Sequence, residues 1–345
     1  MFYRHQELEV RNEGSQNQKG YTMRREDIKE LVKGPISTVP TPFNNSFKID
    51  YGRMRDLTEW WVENGLVKGK AVIKVAAAMG EGPMLREDEW PRLLRTAVQA
   101  ADQKAAIMCG IHYKDTLRAI EDAKLAQDLG AIGVQISPPV FNFPDQDAIV
   151  RHFGDISDAI DGIGILVYVT RGLPGGPIYP ETFRRMVDFE HLVAVKWGNP
   201  AGTKYEDLFD LSNVINIIDN NGTPILNHQL GGKGYINHTS QMNPAHDLKI
   251  WELMESGLYD DAQAVYDSVE KDPAFRQFNT KVAQRTCGEA YMVKGMMAVM
   301  GQPAGPPRPP SLAMNAEELT ELHQIMEAWG WPVAPNSDIV KLAAS

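Results

Sequence analysis

The chain has 345 residues, 43% hydrophobic and 23% charged, a balance that excludes disordered, collagenous and fibrous classes. Lys and Arg number 35 against 45 Asp and Glu, a net charge of −10. That field repels phosphate backbones and acidic lipid surfaces, so neither nucleic acid nor a membrane is an expected partner. The two cysteines, Cys109 and Cys287, are too far apart for a CxxC arrangement; they suggest neither a disulfide framework nor a structural zinc site, and fit a reducing cytoplasm.

Residues 1–33 are polar and mixed in charge, with no apolar signal-peptide core, and read as a disordered or partner-clasping arm. From Gly34 onward eight short apolar runs follow: 36–40, 71–77, 105–110, 132–136, 163–168, 192–196, 214–218 and 234–238. Near-continuous hydrophobicity is the mark of parallel strands covered by helices. Helical periodicity lies between the runs. Residues 51–65 put Met54, Leu57 and Trp61 on one face. Residues 113–130 repeat Leu117, Ile120, Leu125 and Leu129 before stopping at Gly130, a left-handed cap. Pro180 and Glu181 open a further helix.

The runs end roughly every 28 residues, the length of a βα unit, and eight such units close a TIM (β/α)8 barrel over residues 34–256. An open doubly wound sheet is the competing architecture. It would place a glycine-rich phosphate turn after the first strand, where this chain has PTPFNN. Beyond Ser256 only helical patterns appear, giving a C-terminal helical region over 257–345. Its stripe of Met292, Met296, Met297 and Met300 reads as packing surface, in the core or between subunits.

A TIM barrel builds its site at the C-terminal ends of its strands. The sixth run ends in Lys196, where burial penalises a charged ammonium. Either a carboxylate pairs with it, or its pKa falls and it serves as an amine nucleophile. Tyr168 lies one βα unit earlier, so adjacent strands bring a phenol beside that amine, where it can relay protons. After the second run, AAAMGEGPML offers backbone N–H groups near Gly80 that a carboxylate could approach past small side chains.

Taken in order, these segments resemble the dihydrodipicolinate synthase/N-acetylneuraminate lyase superfamily of class I aldolases. Thr41-Pro42-Phe43, Ala77-Ala78-Met79-Gly80-Glu81, Tyr168, Lys196 and the segment 231–244 match its motifs. The resemblance implies a Schiff base between Lys196 and a 2-oxo acid, pyruvate or a pyruvate adduct, with Tyr168 relaying protons. It implies no cofactor or metal. Substrate would be held by Thr41, Ala78, Met79, Gly80, Phe141, Trp197, Asn220, His228 and Ile236. A homotetramer is implied as well.

The departures are Ala77, Ala78 and Met79 in the family's GxxGE turn, Val140 and Phe141 where a partner-reaching tyrosine is usual, and Leu173 with Arg171 shifted from the substrate-carboxylate arginine. They argue against lysine biosynthesis and sialic acid cleavage. Met79, Val140, Phe141 and Trp197 would make an apolar mouth, as in hydratase-aldolases taking aryl aldehydes. Sugar-acid dehydratases or deaminases are the alternative, favoured by Asn199, Asn220 and Asn221; a non-catalytic binding barrel is another. His238 could also reach substrate. Lys74, interrupting the second run, has no role in this reading.

Overall fold

The computed structural model describes residues 23–139, 141, 143–169, 176–336 and 339. Eight strands, β1 (Gly34–Thr38), β2 (Val72–Val75), β3 (Ala106–Ile111), β4 (Gly133–Ile136), β5 (Gly164–Tyr168), β6 (Leu192–Trp197), β7 (Asn216–Asp219) and β8 (Gly234–Tyr235), form a closed parallel barrel in sequence order. The expected TIM barrel is what the chain adopts. The eighth run, expected over five residues, contributes only two, paired to β7 and β1. Glycine allows the close approach at that seam: a Cβ on Gly234 would lie 2.3 Å from the Gly34 carbonyl oxygen.

One helix precedes the barrel, α1 (Arg25–Leu31), and the next five follow strands: α2 (Tyr51–Glu63), α3 (Glu89–Ala101), α4 (Thr116–Asp128), α5 (Gln146–Ala159) and α6 (Pro180–Arg184). A 3₁₀ segment (Tyr205–Leu211), α7 (Pro224–Gln229) and α8 (Pro244–Glu255) complete the outer ring. Beyond it come α9 (Tyr259–Glu270), α10 (Pro273–Arg285), α11 (Ala290–Val299) and α12 (Ala316–Ala328). None of these helices is long and apolar enough to cross a membrane.

Met54, Leu57 and Trp61 are fully buried on α2, as their spacing predicts. On α4 the expected face holds only in part: Ile120 and Leu129 pack against the core, and Leu117 and Leu125 do not. The helix buries Ala119, Ala123 and Ala126, whose small side chains permit close approach, while Leu117 is 74% exposed and Leu125 38%. Part of the arm expected to stand apart is also structural. Helix α1 closes the N-terminal end of the barrel: Arg25 Nε donates to the Leu192 carbonyl (3.0 Å), and Asn216 Nδ2 donates to the carbonyls of Lys29 (2.8 Å) and Val32 (2.9 Å). Ile28 and Val32 are buried beneath it.

In the C-terminal region, α11 is buried along its whole length, so the methionine stripe fills this chain's own core. Trp329 and Trp331 meet edge to face with ring centroids 5.0 Å apart, and Trp329 Nε1 donates to Asp272.

Candidate active site

The sixth strand carries Lys196 because alternation along β6 turns every second side chain into the barrel. Tyr168 on β5 is its register partner, so both face inward at the same height. The Lys196 ammonium nitrogen lies 4.2 Å from the centre of the Tyr168 ring. Lys196 is 8% exposed and Tyr168 7%. Burial pushes the Lys196 amine down to about 8, with the charge of Glu289 acting in the opposite direction. At pH 7 roughly a tenth of such an amine is uncharged, roughly 300-fold more than at the ordinary lysine value. Burial raises the Tyr168 phenol, so it stays protonated.

Lys74, left without a role by the sequence, turns out to be wholly buried on β2, its Nζ hydrogen-bonded to Gln135 Oε1 of β4. Burial lowers its pKa well below the usual lysine range, and the charge of Lys196 adds to the effect. His112, just past β3, is buried edge-on to Tyr168 at 5.6 Å between ring centroids. Burial, with Lys74 and Lys196, lowers its imidazole to about 3 and leaves it neutral.

The turn after β2 is a short 3₁₀ segment, Ala78–Gly80. Ala76 and Glu81 beside it have φ of +52° and +58°, a left-handed conformation that non-glycine residues adopt at a cost of about 1–3 kcal/mol each. What holds it is visible. Thr41 Oγ1 donates to the Gly80 carbonyl at 2.6 Å, and Glu81 pairs with Lys294 of α11 at 2.7 Å, both side chains being 3% exposed. Glu81 also accepts from the Arg308 backbone N–H at 2.7 Å. A Cβ on Gly82 would fall 1.7 Å from the Ala76 carbonyl oxygen, so only glycine fits there. Ala78 and Gly80 are thus in the turn where the motif placed them, Thr41 holds that turn from just past β1, and Met79 reaches the cavity.

That cavity, about 230 Å³, is lined by Lys196, Met79, Asn220 and Ile236, all foreseen except as a single surface. The remainder of its lining is polar: Asn237, His238, Tyr266, Glu270 and Glu289, with Gly222. Thr41, Ala78, Gly80 and Tyr168 are not among its lining residues, and Phe141, Trp197 and His228 lie elsewhere. Trp197 follows Lys196, so alternation points it outward, where it is fully buried, donates to the Tyr205 carbonyl (3.0 Å) and meets Phe183 edge-on. Phe141 is 91% exposed on the surface of the chain. His228 sits on α7 between Trp251 and Tyr259 and contacts Glu255 at 2.9 Å. Of the four residues expected to make an apolar mouth, Met79 lines the cavity, Phe141 and Trp197 do not, and Val140, like Arg171 and Leu173, lies outside the described residues. Asn199 and Asn221 bond to one another at 2.8 Å and do not line the cavity.

Glu289, Glu270 and Tyr266 were missed because they come from beyond the barrel. Helical spacing records which face is apolar, not which helix end reaches a strand mouth.

A profile of the Dihydrodipicolinate synthetase family matches residues 31–329. The chain belongs to this family. Membership places it among aldolase-type lyases, the class its motifs implied. A 4-hydroxy-tetrahydrodipicolinate synthase of Heliobacterium modesticaldum is 28% identical over 300 residues, covering 86% of this chain and 95% of its own. The enzyme of that name from Methanococcus vannielii is 24% identical over 300 residues, covering 87% and 99%. Among solved structures, dihydrodipicolinate synthase from Aquifex aeolicus superposes with a TM-score of 0.76 at 22% identity, covering 88% of this chain and 100% of that one. A monomeric dihydrodipicolinate synthase variant gives 0.76 at 24% identity, covering 88% and 99%. These structures share the fold.

Proposed function

We propose that this family member is a class I aldolase whose Lys196 forms a Schiff base with pyruvate or a pyruvate-containing 2-oxo acid. The observation that carries the reading is a desolvated Lys196 amine that lines the cavity and lies 4.2 Å from the ring of a protonated Tyr168. The amine attacks the ketone carbon, and the carbinolamine expels its hydroxyl as water on taking a proton from the Tyr168 phenol. The resulting iminium draws electrons from the neighbouring carbon, which loses a proton to the Tyr168 phenolate to give an enamine. The enamine then adds to an aldehyde, and hydrolysis of the new imine frees Lys196; cleavage is the same sequence reversed. The first amides of the 3₁₀ turn, at Ala78 and Met79, have no intrahelical acceptor and suit the substrate carboxylate.

The reading extends to a homo-oligomer, which the family resemblance suggests to be a tetramer. Leu117, Leu125, Phe141 and Phe143 are large apolar side chains exposed on a single chain, which contact with a second copy would cover.

Pyruvate incubated in D₂O with the protein tests the chemistry. Enamine formation exchanges its methyl protons for deuterium, seen by NMR, and Lys196→Ala removes the exchange. Equal exchange in that variant would refute the mechanism.

A further inference from the structure

The cavity holding Lys196 has two unlike sides. Lys196 and Met79 belong to the barrel and its β2 turn, whereas Glu270 ends α9 and Glu289 immediately precedes α11. Neither carboxylate is placed by a loose segment. Glu270 follows the buried Val269, and its carbonyl accepts from Arg276 Nε at 2.9 Å. Glu289 is set by α11, buried throughout and tied by Lys294 to Glu81. Among the described residues lining the cavity there is no arginine and no lysine besides Lys196.

An ionised carboxylate only accepts hydrogen bonds, at about four lone-pair sites. Two of them on one wall reward a ligand that donates and repel one that carries its own negative charge. Asn237 and Tyr266 beside them can turn a donor or an acceptor to the same ligand. Burial raises the Glu270 carboxyl and so works against its ionised form, while the smaller effect of His238 favours that form. The wall's charge also reaches the amine, since Glu289 opposes the effect of burial on Lys196.

We propose that Glu270 and Glu289 read the second half of the substrate, which bears hydrogen-bond donors, hydroxyl or ammonium, and no carboxylate. This rests on the Schiff-base reading, because Lys196 must hold the 2-oxo acid for the aldehyde half to lie against that wall. The two glutamates are specificity-determining groups supplied by the C-terminal helices.

The test is aldol addition of pyruvate to four aldehydes by the full-length chain, with products followed by mass spectrometry. D-glyceraldehyde carries hydroxyls, 3-aminopropanal an ammonium, glyoxylate a carboxylate and benzaldehyde neither. A donor-bearing aldehyde is expected to exceed glyoxylate and benzaldehyde in kcat/KM by about tenfold or more; whichever of the two leads identifies hydroxyl or ammonium as the group read. Glu289→Gln, and Glu270→Gln with it, should shrink the ratio of that aldehyde to glyoxylate by about tenfold. Ratios within one variant cancel any change in Lys196 reactivity, which both aldehydes share. Wild-type preference for glyoxylate or benzaldehyde, an unchanged ratio in both variants, or no reaction with either donor-bearing aldehyde while borohydride traps pyruvate on Lys196 would each overturn the inference. Absence of the trapped adduct would instead remove the Schiff-base reading, and this inference with it.

Discussion

The two ends of the barrel show opposite uses of the same strands. At the N-terminal end, α1 lies across the first residues of β5, β6 and β7, and Asn216 gives both of its donated hydrogen bonds to the helix backbone. Asn216 is satisfied there, Arg25 keeps one buried nitrogen, Nη2, without a hydrogen-bond partner among the described residues, and the rest is Ile28 and Val32. At the C-terminal end the chain buries two lysines and a neutral histidine, and twists Ala76 and Glu81 into left-handed backbone. Both ring nitrogens of His112 lack a hydrogen-bond partner among the described residues, which costs about 1–3 kcal/mol for each such group. One end is arranged for stability, the other for chemistry at stability's expense.

Substitutions at each end should therefore separate activity from stability. Lys196→Ala should abolish turnover while raising or preserving the melting temperature; retained turnover breaks the contrast outright. Tyr168→Phe should slow turnover by about 10²–10⁴-fold, the usual contribution of a positioned acid–base group. Steady-state kinetics decide this, and an effect below about threefold would make the phenol a packing group.

At the other end, Ile28→Ala should cost about 2–5 kcal/mol in chemical denaturation, with kcat unchanged for the folded fraction. A matching loss of kcat would show that the two ends are coupled.

The buried amine also leaves a mark on stability. Because its folded value is depressed to about 8, the unfolded chain binds a proton that the folded chain lacks between about pH 8 and 10.5. Stability should then rise with pH through that window, by about 3 kcal/mol from Lys196 alone. Denaturation of wild type and Lys196→Met at pH 8, 9 and 10 measures it, since only wild type should show this component of the rise. The smallest effect is expected at Trp197. Trp197→Phe removes one hydrogen bond to Tyr205 and should cost about 1–2 kcal/mol without altering aldehyde preference.

The strands and the Lys196–Tyr168 pair were legible because hydrophobic runs at regular spacing leave little choice of closure, and because two strand-terminal polar residues one unit apart must meet. Parity was harder. Trp197 was read as a mouth residue on adjacency to Lys196, although neighbours on a strand face opposite ways. Leu117 and Leu125 of α4 were placed on the packed face because leucine usually is, while the alanine stripe on the other side fits more closely against the sheet. Lys74 could not be placed from sequence, since its partner Gln135 is two strands away and carries no signal of its own. Glu270 and Glu289 depend on how the C-terminal helices dock, which no local pattern records.

The central claim is that Lys196, its pKa lowered by burial to about 8, condenses with a ketone as the free amine. Borohydride reduction in the presence of pyruvate, followed by peptide mapping, tests it most directly. The account predicts a single irreversible adduct on the peptide containing Lys196. No adduct, or an adduct on Lys74 in its place, would contradict it.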